Sequence, residues 1–346
     1  MRFILTGVIL LSLAASASAR QKGAEAEPAP PGRLYDVGGY RLHLNCTGNG
    51  SPAVVLIAGG GDFSFDWGLV QPGVSRFARV CSYDRAGLAW SDPGPLPRTM
   101  RQDAYELHAL LAAAKVKGPY VLVGHSVGGL IARVYAEQYP AEVAGLVLVD
   151  PTHEDTTLIF QGKLVRVRAS AKGTGAPAVQ TMRSSPPRPA AREDVEQFEL
   201  NQKAFGPPKT EPPFDKLPAG HQRARLYFRS RPPRTAAGED FWAEELQEMY
   251  EARARTPHPL GDKPLAVLIT GPPAGDPPPG ITAEDWKRVN EEKRQQKTGL
   301  TRLSRNSKLL VADKSGHHIQ LDQPQLVVEA TRAVALAAKR RTRLTP

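Results

Sequence analysis

Gly124-His125-Ser126-Val127-Gly128 sets a serine between two glycines, where two unlike patterns meet. The apolar, largely β-branched Tyr120-Val121-Leu122-Val123 runs into it, and the amphipathic Gly129-Leu130-Ile131-Ala132-Arg133-Val134-Tyr135 leaves it. That order reads as a strand, a tight turn and a helix, with Ser126 at the apex. A strand-to-helix turn this sharp strains the backbone of its central residue and leaves no room for nearby side chains, so glycines must flank the serine. The strain pushes the hydroxyl out of the fold. The first N–H groups of the helix, which lack intrahelical acceptors, point toward any oxyanion formed beside it. The chemistry this suits is nucleophilic attack on a carbonyl, for which a serine hydroxyl needs a neighbouring base. The bare G-x-S-x-G pattern arises by chance in about one chain in ten of this length, so its strand–turn–helix setting carries the weight. The competing reading is a serine in an ordinary helix-initiating turn.

Around this turn the chain alternates strands and helices. Leu34-Tyr35-Asp36-Val37 and Tyr40-Arg41-Leu42-His43-Leu44-Asn45, joined by Gly38-Gly39, predict a hairpin. Ala53-Val54-Val55-Leu56-Ile57 predicts a strand ending in Gly59-Gly60-Gly61, and Arg79-Val80-Cys81-Ser82-Tyr83 another ending at Asp84-Arg85-Ala86-Gly87. A helix is expected around Asp103 to Ala114, then the strand leading to Ser126 and its helix to about Tyr139. Val143 to Val149 is a further apolar strand, stopping at Asp150-Pro151. Several strands are apolar on both faces, which implies an α/β fold, a mainly parallel sheet with helices on both sides.

From Thr152 to Pro259 the pattern breaks into a Pro-, Arg- and Lys-rich stretch. It carries helical signals at Glu193 to Leu200 and Phe241 to Arg253, but no apolar strand run. Strands resume at Pro264-Leu265-Ala266-Val267-Leu268-Ile269 and Ser307-Lys308-Leu309-Leu310-Val311-Ala312, before a last helix from Gln325 to Lys339. The expected organisation is a core of residues 32–151 and 260–340, with 152–259 inserted as a cap over the carboxyl ends of the strands, where open α/β sheets bind ligands. No internal repeat is evident.

With 346 residues the chain suffices for one large domain carrying an insertion. Arg2, the apolar Phe3 to Leu11 and the small-residue Ala17-Ser18-Ala19 read as an export signal over residues 1–19, followed by a disordered spacer over 20–31. The apolar segment is too short to favour a membrane anchor. Export to a periplasmic or extracellular space makes Cys46 and Cys81, both in expected strands, either a disulfide or two buried thiols. The net charge is +10 and the pI about 9.6. A basic exported protein could associate weakly with anionic envelope surfaces. The Arg and Lys residues are scattered, without aromatic interleaving, so nucleic acid is not expected as a partner.

Several segments together resemble the α/β-hydrolase superfamily, in its branch of small esterase- and lipase-like enzymes. Ala53-Val54-Val55-Leu56-Ile57-Ala58-Gly59-Gly60 resembles the strand leading to that family's oxyanion loop. Tyr83-Asp84-Arg85-Ala86-Gly87-Leu88-Ala89-Trp90-Ser91-Asp92 resembles the segment after the next strand. Val121 to Gly129 matches the nucleophile elbow, and Ser315-Gly316-His317 with Leu321-Asp322-Gln323-Pro324 matches the terminal histidine loop. The resemblance covers about Leu34 to Asp150 and Pro264 to Lys339, and is weakest in the cap.

It implies Ser126 as nucleophile, His317 as base in preference to the adjacent His318, and an acid lying between them in the chain. Asp150 and Asp276 both fit that order. Asp150 is favoured because it stands on a strand end and is followed by Pro151, whereas Asp276 lies in a proline-dominated loop. The oxyanion hole would use the N–H groups of Val127 and Gly60. The family commonly has His-Gly where this chain has Ala58-Gly59, which puts loop rigidity in question. His125 is expected to pack beneath the turn. Phe63, Phe65 and Trp67 are expected in the core rather than lining a pocket. His153-Glu154-Asp155 fits a cap hinge better than a metal cluster, and Asp322 with Gln325 fits a capping box for the last helix. The implied activity is hydrolysis of small carboxylic esters through an acyl-enzyme, with no cofactor or metal. Lactone, amide or thioester cleavage on the same triad and a catalytically silent binding protein are the alternatives.

Overall fold

The alternating pattern becomes one eight-stranded sheet in a computed structural model that describes residues 26–171, 186–236, 238, 241–271 and 276–344. Its first strands are β1 (Arg33–Asp36), β2 (Arg41–Thr47), β3 (Ala53–Ile57) and β4 (Val80–Tyr83). Then come α1 (Met100–Ala113), β5 (Tyr120–His125), α2 (Val127–Gln138) and β6 (Val143–Val149). A two-stranded ribbon follows, β7 (Thr157–Phe160) and β8 (Lys163–Arg166), then the helices α3 (Arg192–Phe205), α4 (Ala219–Arg229) and α5 (Trp242–Arg255). The sheet is completed by β9 (Leu265–Thr270) and β10 (Ser307–Ala312), with α6 (Ala283–Gly299) between them and α7 (Pro324–Arg340) at the end.

The sheet order is β1-β2-β4-β3-β5-β6-β9-β10, antiparallel only where β2 meets β1 and β4. From β3 the chain goes to β4 on one side and returns through α1 to β5 on the other. The strand order therefore reverses at β3/β5, and a crevice opens beyond the carboxyl ends of those two strands. Both strands are buried along their whole length. Alternation divides their side chains between two faces. Val55, Ile57 and Leu122 pack with Leu107, Leu110, Leu130 and Ile131 of α1 and α2. Val54, Leu56, Val121 and Val123 pack with Val327 and Val334 of α7. Each fully buried Val or Leu contributes about 1.5–3 kcal/mol, so the two central strands are held on both sides.

Cys46 and Cys81 are opposed in the β2/β4 register and are joined as a disulfide. The ribbon and α4 do not follow from the apolar pattern. The ribbon strands are short and mostly half-buried or exposed, turning through Gln161 and Gly162, both at positive φ. Helix α4 buries only Ala224 and Arg225. Helix α6 is also poorly patterned: one of its residues, Val289, is buried. Among the described residues no helix is long and apolar enough to cross a membrane. The expected leader over 1–19 lies outside the described residues.

Candidate active site

Ser126 stands at φ 53°, ψ −121°, a conformation that L-residues rarely adopt. The glycines before and after it have steric causes. A Cβ on Gly124 would meet the Gly128 carbonyl at 2.3 Å, and one on Gly128 would meet the Ile57 carbonyl at 2.3 Å. The turn is also tied to the end of β6. The Ser126 N–H donates to the Val149 carbonyl (3.1 Å), and the Thr152 N–H donates to the Ser126 carbonyl (3.1 Å). Asp150, where β6 ends, is itself strained at φ 38°, and its N–H donates to Leu268 of β9 (2.8 Å). Two strained residues at neighbouring strand ends are thus locked by the backbone of three strands.

His317 comes to this point from the loop after β10. Its Nδ1–H donates to Asp150 Oδ2 at 2.6 Å, which leaves Nε2 free to accept a proton. The other carboxylate oxygen, Asp150 Oδ1, accepts from Lys297 Nζ of α6 at 2.7 Å. Burial pushes the Asp150 carboxyl up, but the His317 hydrogen bond and the Lys297 charge outweigh it and hold the group down to about 2. Asp150 is thus a carboxylate at neutral pH. Among the described residues it is the acid that meets His317, whereas Asp276 is exposed. Residues 272–275 of the Asp276 loop lie outside the described residues.

Ser126, His317, Asp150, Gly60 and Val127 all line one cavity of about 400 Å³. The Ser126 Oγ lies 3.4 Å from Thr152 Oγ1, which shares the cavity. This is its hydrogen-bond partner among the described residues, rather than His317. Val127 is the first residue of α2, so its N–H has no acceptor within the helix. Gly60 faces it, since a Cβ there would lie 3.5 Å from a Val127 methyl. The facing part of the lining includes Trp242 of α5, Leu158 of β7, and Lys293, Gln296 and Lys297 of α6. A second cavity of about 320 Å³, lined by Arg133, Met249 and Leu260, holds none of these groups.

The loop after β3 has a brace in place of the histidine. Arg85 donates through Nη1 to the Ala58 carbonyl and through Nη2 to the Gly59 carbonyl, each at 2.7 Å. The motif Asp84-Arg85-Ala86-Gly87 was the available signal, but sequence spacing does not show that the guanidinium reaches back across the sheet. Asp322 departs from its expected part. The last helix starts at Pro324 with Gln323 as cap residue, because proline favours the first helical position. Asp322 instead accepts from the Gly316 N–H (3.0 Å) and the Ser315 hydroxyl (3.3 Å), bracing the approach to His317.

His125 is buried beneath the turn, and its Nε2–H donates to the His317 carbonyl at 2.9 Å. His318 turns away from Asp150, to within 3.7 Å of Asp62 and edge-on to Phe214. Phe63 and Phe65 pack with Trp90 in a buried cluster, and Trp67 lies in the core beneath the sheet. Glu154 is fully buried and accepts from Arg133 of α2 (2.6 Å) and Arg253 of α5 (2.7 Å). Burial pushes its carboxyl up, but the two guanidiniums outweigh that and hold it below the usual range. Burial and the same arginines push His153, in the cavity wall, down to about 4, so it is neutral at pH 7. Nothing in the sequence marked Lys293 or Lys297, since α6 carries no motif and little apolar pattern, and nothing local linked Arg133 and Arg253 to Glu154.

A match to the alpha/beta hydrolase family covers residues 54–330, from β3 into α7. The chain belongs to this family. An AB hydrolase superfamily protein of Gibberella zeae is 23% identical over 82% of this chain and 86% of its own length. An uncharacterised protein of Schizosaccharomyces pombe is 35% identical over 35% of this chain, but the match spans only 28% of that protein. A thermophilic esterase from Thermogutta terrifontis superposes with a TM-score of 0.54, over 86% of this chain and 94% of that one, at 22% identity. At that identity the likeness speaks for the fold.

Proposed function

We propose that this chain is a serine hydrolase of carboxylic esters. The observation that carries the reading is the 2.6 Å bond between His317 and Asp150, opening on the same cavity as the strained Ser126. On substrate binding, Ser126 Oγ attacks the ester carbonyl carbon while His317 Nε2 takes the hydroxyl proton. The carbonyl oxygen becomes an oxyanion, which the Val127 and Gly60 N–H groups would receive. His317 then gives its proton to the departing alkoxide, leaving an acyl group on Ser126. Water, deprotonated by the same imidazole, attacks the acyl carbon, and the imidazolium returns that proton to the departing Ser126 Oγ as the acid is released. Asp150 holds the tautomer and stabilises the imidazolium throughout.

The family likeness supports a hydrolase and leaves the bond undecided, since thioester, lactone and amide cleavage use the same steps with another leaving group. The cross-strand disulfide supports an oxidising compartment and, with the sequence of residues 1–19, export. A rapid-quench experiment with a p-nitrophenyl ester tests the mechanism. A burst of nitrophenol matched to the enzyme concentration, with an acyl adduct on the Ser126 peptide, is the expected outcome. Turnover without an adduct, or an adduct elsewhere, overturns it.

A further inference from the structure

Two lysines one helical turn apart, Lys293 and Lys297, project from α6 into the wall facing Ser126 and His317. Their situations differ. Lys297 is spent on Asp150 Oδ1 at 2.7 Å, so that pair is neutral as a unit. Lys293 has no hydrogen-bonding or ion-paired partner among the described residues. The acidic groups that act on it are taken: Asp150 is paired with Lys297, and Glu292 with Arg166. His153, also in this wall, is neutral at pH 7, and His317 enters the proposed reaction as the neutral base. The fixed charges lining the cavity are therefore one carboxylate and two ammoniums, a surplus of one positive charge lying on Lys293. Burial and the Lys297 charge disfavour that ammonium, pushing it below lysine's ordinary value. A ligand anion placed against it would relieve both costs.

We propose that the cavity takes an anionic substrate, an ester whose acyl half carries a terminal oxyanion held by Lys293. The inference rests on the ester-hydrolase reading and adds the substrate class. Lys297 has a positioning part in it: by neutralising the outer oxygen of Asp150, it removes the repulsion that an incoming anion would meet beside His317. The apolar share of the lining, Trp242 and Leu158, suits the methylenes between the two ends of such a molecule. An ammonium selects charge rather than shape, so a carboxylate and a phosphonate share the recognition, and the test separates them.

Binding, rather than turnover, is the readout, so that this inference stands or falls apart from the acyl-enzyme. Four p-nitroanilides of equal acyl length, ending in a carboxylate, a phosphonate, a methyl or an ammonium group, are titrated into the wild-type protein by calorimetry at low salt. The expected result is binding of a carboxylate- or phosphonate-ended probe at least about tenfold tighter than the methyl-ended one, with the ammonium-ended probe weakest. The tighter of the two anions names the source. Lys293→Met should reduce the preference to about threefold or less, and Lys293→Arg should keep most of it, which a merely structural lysine would not do. Rising salt should erode the preference. Equal binding of the four probes, binding of none, or a preference unchanged in Lys293→Met overturns the proposal.

Discussion

The two walls of the cavity are built in different ways. One wall is backbone. Ser126 and Asp150 end adjacent buried strands in strained conformations, stitched by main-chain hydrogen bonds, and the loops bearing Gly60 and His317 meet them there. The other wall is side chain. Helices α5 and α6, with one buried apolar position in α6, contribute Trp242, Lys293 and Lys297, and hold their place through ion pairs such as Arg253–Glu154 and Lys297–Asp150. A strand-end wall tolerates little change of shape, because its geometry is shared with the core. A wall hung on ion pairs can change its lining without disturbing the sheet. On the proposed reading the first wall would supply the chemistry and the second the choice of substrate.

Four changes would break or sharpen the contrast. The largest effect is expected in the strand-end wall: Asp150→Asn should lower kcat by about 10³–10⁴ through the wrong imidazole tautomer. Asp276→Asn, tested beside it with the same ester, should stay within about twofold. A reversed ranking would move the acid to the other loop. Glu154→Gln probes the seam between the walls. It leaves the half-buried Arg133 and Arg253 without their counter-charge, at a cost of about 3 kcal/mol, read as a drop in urea midpoint.

The third test is pH. The folded Asp150 carboxyl is held down to about 2 by His317 and Lys297, below its ordinary value in the unfolded chain of about 3.9. The stability from this depression is whole above about pH 4 and is lost as pH falls through about 2, amounting to about 2–3 kcal/mol. Urea titrations should show Asp150→Asn lacking this part of the acid decline. The smallest effect is expected at Arg85→Met, where loss of two bonds to the Ala58 and Gly59 carbonyls should lower kcat by about tenfold, with KM changed less. A change in KM alone would mean that the arginine serves binding instead.

The same division explains what could be read in the sequence. The strand-end wall announces itself because its geometry demands particular residues: glycines at 124 and 128, and a run of apolar strands whose lengths β3, β6 and β10 match closely. Asp150 could be preferred over Asp276, but only as a position on a strand end. The bond to His317 required the fold. Lys297 and Arg85 were not legible, because each joins residues far apart in the chain through a long, flexible side chain that no local period records. The tether from Asp322 to Gly316 was not, because it closes an irregular loop with no period at all. The capping box expected at Asp322 was overridden by Pro324, whose ring sets the start of α7. Helix α4 and the β7/β8 ribbon were missed for a related reason, since each buries too little apolar surface to leave a pattern.

Labelling of the intact protein with a neutral fluorophosphonate tests the central claim most directly. An activated Ser126 predicts one label per chain, on the peptide containing residue 126, abolished in Ser126→Ala and slowed at least about a hundredfold in His317→Ala. Absence of labelling in the wild type, or labelling that persists in Ser126→Ala, would contradict it.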